Sequence, residues 1–202
     1  MKHIKLNIPT SSEEITLGRY LSYFQFVKDM KENAELNHTV RLKVVSIFCD
    51  VPMEFCRDQM NMDDIISISN DILEVLKGVD ELATADPEPI VEFKGTRFGF
   101  IPRFTEMSGG EFIDLSAYIS DMNNLNKLMA IMYRPITEEK ENKAIHQTQY
   151  EIAEYKGSEP MATHFKLIPA YVALRAYFFL GGSYLILTSY FQASSKEKEV
   201  VK

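Results

Sequence analysis

The fold of this chain is decided by residues 98–136, which read FGFIPRFTEMSGGEFIDLSAYISDMNNLNKLMAIMYRPI. The stretch begins like the end of a strand, passes through a Gly-Gly turn and continues as a long helix. We predict this central helix over residues 115–132, with Asp114 as its N-terminal cap. Pro135 ends it, because the residue before a proline is disfavoured in the helical region. Apolar residues recur along it at spacings of three and four, so neighbouring elements should cover it on two sides.

The end of the central helix carries the candidate contact residues. Arg134 stands at the helix C-terminus, where a cation is favoured, and it can bond the last carbonyl groups or an acidic neighbour. The functional alternative is an anion or subunit contact. The chain has 10 Met and 13 Phe residues, a content that suits either an adaptable core or a contact surface. As a possible subunit contact we therefore name Arg134, Tyr133, Met129 and Met132.

A β-hairpin is predicted immediately before this stretch. The sequences IVEFKG and TRFGFIP read as two strands around a tight turn at Lys94-Gly95-Thr96. Phe93, Phe98 and Phe100 should share one face of the hairpin, which the helix that follows can cover.

The part of the chain before the hairpin is predicted to be helical over residues 10–78. A short strand is predicted at residues 3–8, where apolar and polar residues alternate up to Pro9. Helices are expected over residues 17–32, 39–50 and 61–77, with a short helix after Pro52. Asn61 should cap the last of these, and Gly78 should end it.

The rest of the chain is predicted to contain an exposed polar loop, a strand and C-terminal helices. The loop is residues 137–148, the strand is residues 149–155, and the helices lie within residues 158–193. Residues 168–191 are apolar enough to raise the question of a membrane span. Arg175, the glycines at 181–182 and several hydroxyl residues favour a buried helix or helix pair instead, so membrane contact is not expected. The predicted fold is a single α+β domain over residues 1–202, predominantly α-helical, with a small antiparallel sheet.

Composition and motifs argue against several function classes. A formal net charge of −7 without a basic run is atypical of a nucleic-acid-binding protein. The N-terminus lacks the apolar core of a secretion signal. Cys49 and Cys56 lack the spacing of a redox or zinc motif, and the Ser108-Gly109-Gly110 turn lacks the lysine of a phosphate-binding loop. Asp63 and Asp64 fit the first turn of a helix better than acid–base chemistry. We therefore expect no enzymatic activity, no metal and no cofactor.

Several stretches of the chain resemble a family of phage proteins. They are ITLGRYLSYF at 15–24, FGFIPRFTEMSGGEFIDLSAYI at 98–119, LNKLMAIMYRPI at 125–136, YEIAEY at 150–155 and FFLGGSYL at 178–185. The pattern is similar to that of the roughly 200-residue proteins encoded in the virion-gene regions of tailed phages of Bacteroidetes, including crAss-like phages. The stretches are spread over most of the chain, and no catalytic residues come with the resemblance.

The resemblance implies a virion-associated protein that works through protein–protein contacts. Such a protein is a structural component of the tail or portal region, or cargo packaged with the genome, in several copies beside other portal, tail or ring proteins. Its location would be the virion, and the host cytoplasm during assembly. Three alternatives stay open: a tail-assembly chaperone that is absent from the particle, a small enzyme with an unrecognised site, and an ejection protein that inserts residues 168–191 in a membrane.

Overall fold

The computed structural model describes residues 6–30, 38–142 and 147–181. The fold is α+β and predominantly helical, with one small antiparallel sheet, which confirms the predicted fold class. By its internal contacts the chain divides into two compact units. The first consists of residues 1–84 and 166–171, and the second of residues 85–165 and 172–202. Whether they behave as the single predicted domain stays a prediction.

The described part of the first unit is helical, as the sequence predicts. Its helices are α1 (Leu17–Asp29), α2 (His38–Cys49), α3 (Met53–Gln59) and α4 (Met62–Leu82). Two of them begin at side-chain caps: Thr16 accepts a hydrogen bond from the backbone N–H of Arg19, and Asn61 accepts one from that of Asp64. These caps satisfy N–H groups that have no partner within the helix.

The first unit is completed by residues 166–171, which return to the start of α1. The backbone N–H of Leu17 donates to the carbonyl of Ile168 at 2.8 Å, and that of Ala170 donates to the carbonyl of Ile15 at 2.7 Å. Cys49 and Cys56 are free and buried here, as expected for structural thiols. Burial raises the pKa of the Cys49 thiol to about 11, which keeps it protonated and unreactive.

The predicted strand at residues 3–8 and the predicted helix stop at Gly78 do not agree with the structure. Residues 6–8 have no regular secondary structure, since alternation alone supplies no strand to pair with; residues 1–5 lie outside the described part. Gly78 lies inside α4, which continues to Leu82. A Cβ atom at position 78 would stand 2.6 Å from Oγ of Ser12, so this glycine permits a close approach.

Replacing Gly78 by Ala should therefore be close to neutral, although alanine in a helix interior normally stabilises by about 1 kcal/mol. The gain is offset because Ser12 Oγ must give up its 3.1 Å hydrogen bond to the carbonyl of Val75. In a Ser12→Ala background the same change should recover up to about 1 kcal/mol. Urea unfolding of the four proteins of this cycle measures the difference. Equal effects in both backgrounds would show that the Ser12 hydroxyl does not reduce the stability gained from alanine at position 78.

The second unit contains the sheet, whose strand order is β1-β2-β3-β4, all antiparallel. The strands are β1 (Ile90–Phe93), β2 (Thr96–Phe100), β3 (Tyr133–Asn142) and β4 (Gln147–Ile152). The predicted hairpin is confirmed: Lys94 and Gly95 form its turn with φ of 49° and 73°, as a two-residue turn with positive φ requires. Val91 lies opposite Phe98, so Phe93, Phe98 and Phe100 share one face, as predicted.

Four helices accompany the sheet in the described part of the second unit. They are α5 (Gly109–Tyr118), α6 (Leu125–Met132), α7 (Glu159–Phe165) and α8, residues 170–181, whose first two residues belong to the first unit. Core packing includes the rings of Phe98 and Phe165, whose centroids lie 5.3 Å apart in an edge-on arrangement. Such pairs add about 0.5–1.5 kcal/mol beyond the area they bury.

The predicted central helix is in fact two helices. Ser108, not Asp114, is the first cap: its side chain and that of Glu111 form a reciprocal capping box, so α5 starts at Gly109 and the Gly-Gly pair is helical rather than a turn. Asp121 caps a short 3₁₀ turn between the two helices by accepting from the N–H of Asn123. The local hydrogen bonds of Asp121 compete with helix continuation, which the apolar spacing does not reveal.

The predicted exposed loop at 137–148 is wrong for most of its length, because β3 extends to Asn142 and β4 begins at Gln147. Residues 143–146 lie outside the described part. Charged residues follow one another along β3, so the sequence lacks the alternation that marks a half-buried strand. A strand at 149–155 was predicted, and β4 ends at Ile152.

The described part of the C-terminal apolar stretch is helix α8. Arg175 on α8 is largely buried and forms an ion pair with Glu88 at 2.7 Å, both within the second unit. Among the described residues, none of the helices has both the length and the apolar character that crossing a bilayer requires. The predicted helical or membrane role of residues 182–193 falls outside the described part.

Candidate functional site

The residues predicted as a possible subunit contact lie in the core of the second unit. Tyr133, Met129 and Met132 have no exposed surface, and the Arg134 side chain is only 13% exposed. A side chain that is buried in its own chain has no surface to offer a second copy. These residues are therefore fold determinants, and a contact surface has to be sought elsewhere.

Arg134 is held in place by a buried ion pair. Its Nη2 lies 2.8 Å from Oε1 of Glu111, whose side chain is almost completely buried. The other carboxylate oxygen of Glu111 accepts the backbone N–H of Ser108 at 2.6 Å. One carboxylate thus neutralises Arg134 and caps α5. The sequence allows two structural partners for Arg134, the last carbonyls of the helix or an acidic neighbour. The structure shows the acidic one, Glu111, which lies 23 positions earlier in the chain.

Tyr133 anchors the start of β3 against β2 and the segment that precedes β1. Its hydroxyl donates to the carbonyl of Glu88 at 2.7 Å, and its ring packs edge-on against Phe100 with centroids 5.1 Å apart. Burial, followed by the nearby Glu88 charge, raises the pKa of Tyr133 far above its ordinary value. The hydroxyl is a structural donor and not an acid that can act near neutral pH.

A cleft of about 860 Å³ opens beside Arg134, within the second unit. One wall is the chain that follows β2, and the other is the β3–β4 hairpin. Its lining combines apolar, aromatic and charged side chains: Pro89, Ile101, Pro102, Arg103, Glu106, Arg134, Glu138, Lys140, Gln149, Tyr150, Glu151 and Ile152. Its volume is in the range of about 300–1,000 Å³ that is typical of ligand sites.

The hairpin wall of the cleft is fixed by Tyr150. The Tyr150 hydroxyl lies 2.9 Å from the carbonyl oxygens of both Pro89 and Phe100, and its single hydrogen is shared between them. The ring of Tyr150 covers Gly99: a Cβ atom there would lie 2.4 Å from Cε2 of the ring and 2.9 Å from Cγ2 of Ile152. Gly99 is needed because β4 crosses so close to β2.

We expect Gly99→Ala to destabilise the protein by about 1–3 kcal/mol, because the Tyr150 ring must move and its hydroxyl leaves two backbone carbonyls. The cleft should change shape in the same variant. Chemical denaturation gives the stability, and the NMR signals of Ile101 and Ile152 methyl groups report on the cleft.

The matched control is Gly109→Ala, at the first position of α5, where an added Cβ meets nothing within 4 Å. It should be neutral or stabilise slightly, by up to about 1 kcal/mol. If Gly99→Ala is as stable as this control, the position of the Tyr150 ring does not require a glycine at position 99.

The charges of the cleft are paired except for one. Arg103 pairs with Glu106 at 2.7 Å, and Lys140 approaches Glu138 at 3.9 Å. Glu151 has no cationic partner among the described residues. It stands directly opposite Glu138 in the β3–β4 register. Two like charges in that position destabilise an antiparallel pair.

The cleft presents carboxylate, ammonium, guanidinium and phenol groups beside its apolar residues. Its lining contains no histidine or cysteine, and the described residues contain no group of His, Cys, Asp and Glu side chains placed to hold a metal ion. The cleft is not predicted from the sequence, because residues 137–148, which contribute Glu138 and Lys140 to one wall, read as a loop. The neighbouring segments YRPI and YEIAEY were the sequence features that could have indicated the cleft, since both contribute lining residues.

No protein-family model, curated protein or solved structure matches this chain. The class that the fold defines is an α+β protein with a helical majority, whose second unit carries a polar cleft at the side of a four-stranded sheet.

Proposed function

We propose that this chain is a non-enzymatic, virion-associated protein of a tailed bacteriophage, acting through protein–protein contacts. It serves in the tail or portal region, or as packaged cargo, in several copies. The resemblance of residues 98–119 and 125–136 to the phage family supports the phage assignment. Those residues form α5, α6 and the strand ends that frame the cleft.

The observation that supports a contact function is the β3–β4 hairpin. β3 pairs with β2 only through Tyr133, Arg134 and Pro135, whereas from Ile136 to Asn142 it pairs with β4. Beyond Pro135 no strand is paired with the other edge of β3 among the described residues, although Arg97 of β2 forms an ion pair with Glu139. An unpaired strand edge offers backbone donors and acceptors to a strand of another protein. A hairpin with such an unpaired edge is suited to bind a strand of a neighbouring subunit.

Quantitative mass spectrometry of gradient-purified particles tests the proposal. The chain should co-purify with the particles in several copies, counted against the major capsid protein of the same sample. Particles treated with protease before lysis distinguish a bound protein from a contaminant, which would be removed. A chain that is abundant in infected cells and absent from treated particles would contradict a virion role and favour the assembly chaperone.

A further inference from the structure

We propose that the cleft binds an extended basic segment of a partner virion protein, with a lysine or arginine side chain placed between Glu138 and Glu151. This inference rests on the proposed function and deepens it, since it names the chemistry of the partner. The occupant is a segment of a few residues, because a cleft of about 860 Å³ cannot hold a folded domain.

The two carboxylates supply the recognition of a cation. Glu138 and Glu151 face each other across the β3–β4 register, and Lys140 is 3.9 Å from Glu138 and largely exposed. In the free chain this arrangement costs stability. A cationic side chain from outside removes the repulsion and gains two charge-assisted hydrogen bonds. The free chain thus lacks the additional positive charge that a basic partner provides.

The remaining lining supports a peptide and does not compete for it. Arg134 pairs with Glu111 through Nη2, although its buried Nε has no hydrogen-bond partner among the described residues, and Arg103 pairs with Glu106. Ile101, Pro102 and Ile152 line the same cleft and offer apolar surface to the residues next to the cation. Lys140 compensates Glu138 in part, and Glu151 has no counter-charge among the described residues, so a cation is the complementary ligand.

Long-range electrostatics favour the same partner. The chain has a net charge of −7, which attracts basic segments and repels a second copy of the chain. Among the possible occupants, a basic partner segment therefore fits better than self-association through this cleft.

The test uses the full chain and two defined peptides, acetylated and amidated: Lys-Val-Lys-Val-Lys and the matched Glu-Val-Glu-Val-Glu. Titrations at low salt are followed by NMR and calorimetry. The lysine peptide should bind saturably, shift the signals of Tyr150 and Ile152, and bind more weakly as salt is raised. The glutamate peptide should not bind. Equal binding of both peptides would overturn the proposal.

Variants separate the cleft from the general acidity of the chain. The double change Glu138→Gln/Glu151→Gln should weaken the lysine peptide roughly three- to tenfold, the range expected for two exposed ion pairs. It should also raise the thermal midpoint of the free protein, because a like-charge pair is removed. The control, Glu74→Gln/Glu81→Gln on α4, changes the net charge equally and lies in the first unit. Equal weakening by both double variants would overturn the proposal.

Failure of this inference and failure of the proposed function give different results. If the chain is found in treated particles while the cleft variant binds the lysine peptide like the unmodified protein, the cleft assignment alone is wrong. If peptide binding behaves as expected while the chain is absent from treated particles, the virion role alone is wrong.

Discussion

Replacing Arg134 by Met should destabilise the protein by about 3–5 kcal/mol, because it leaves the Glu111 carboxylate buried without its counter-charge. Arg134 is 13% exposed and Glu111 only 5%, so solvent screens this pair weakly. A loss of that size is a large part of the total stability of a domain, which is commonly about 5–15 kcal/mol. Urea denaturation followed by circular dichroism measures the effect directly.

A second change should recover much of that loss. In the double variant Arg134→Met/Glu111→Gln no buried charge remains, and glutamine can still take the capping position opposite Ser108. The control is Arg103→Met, which breaks an exposed ion pair and should change the stability by less than about 1 kcal/mol. If the Arg134 and Arg103 variants lose the same stability, the buried pair is not a structural element of the second unit.

Replacing Met129 by Ala should destabilise the protein by about 2–5 kcal/mol, because it creates a cavity in the core of the second unit. Met129 has no exposed surface, and its neighbours on α6 are buried as well. The result separates the two roles that the sequence allowed for this residue. A core residue lowers the free energy of unfolding of the isolated chain, whereas a contact residue changes assembly and leaves that free energy nearly unaltered.

The control for Met129 is Ile113→Ala on α5, where the side chain is 68% exposed. This change should alter the stability by no more than about 0.5 kcal/mol. Analytical ultracentrifugation of both variants completes the comparison. A Met129→Ala protein with normal stability and altered sedimentation would contradict the core assignment and restore the subunit contact.

The sequence was most informative where local rules agree with tertiary packing. The helices of the first unit follow from apolar spacing and from caps such as Asn61, and the β1–β2 hairpin follows from Lys94-Gly95 between apolar strands. The central helix shows the limit of this reasoning. Its apolar stripe continues across α5 and α6. The helix is nevertheless interrupted where the Asp121 side chain accepts a hydrogen bond from the N–H of Asn123, and the apolar spacing gives no sign of this interruption.

The cleft could not be predicted from the sequence for a different reason. β3 beyond Ile136 is charged on both faces, so its strand character comes from pairing with β4 rather than from alternation. Gly99 reads as an ordinary glycine in a strand until Tyr150 is seen to lie on it. Arg134 was identified from its position after the helix, but its partner Glu111 became evident only when the chain had folded. Long-range pairing of this kind has no local signature.

We propose above all that this chain belongs to a phage particle and acts there by contact with other proteins. Cryo-electron microscopy of whole particles tests it most directly, by a search of the portal and tail density for the four-stranded sheet with its helices. We expect repeated copies of this fold at symmetry-related positions, with a basic segment of a neighbouring protein beside Glu138 and Glu151. Particles whose density is fully assigned to other proteins, with no copy of this fold, would contradict it.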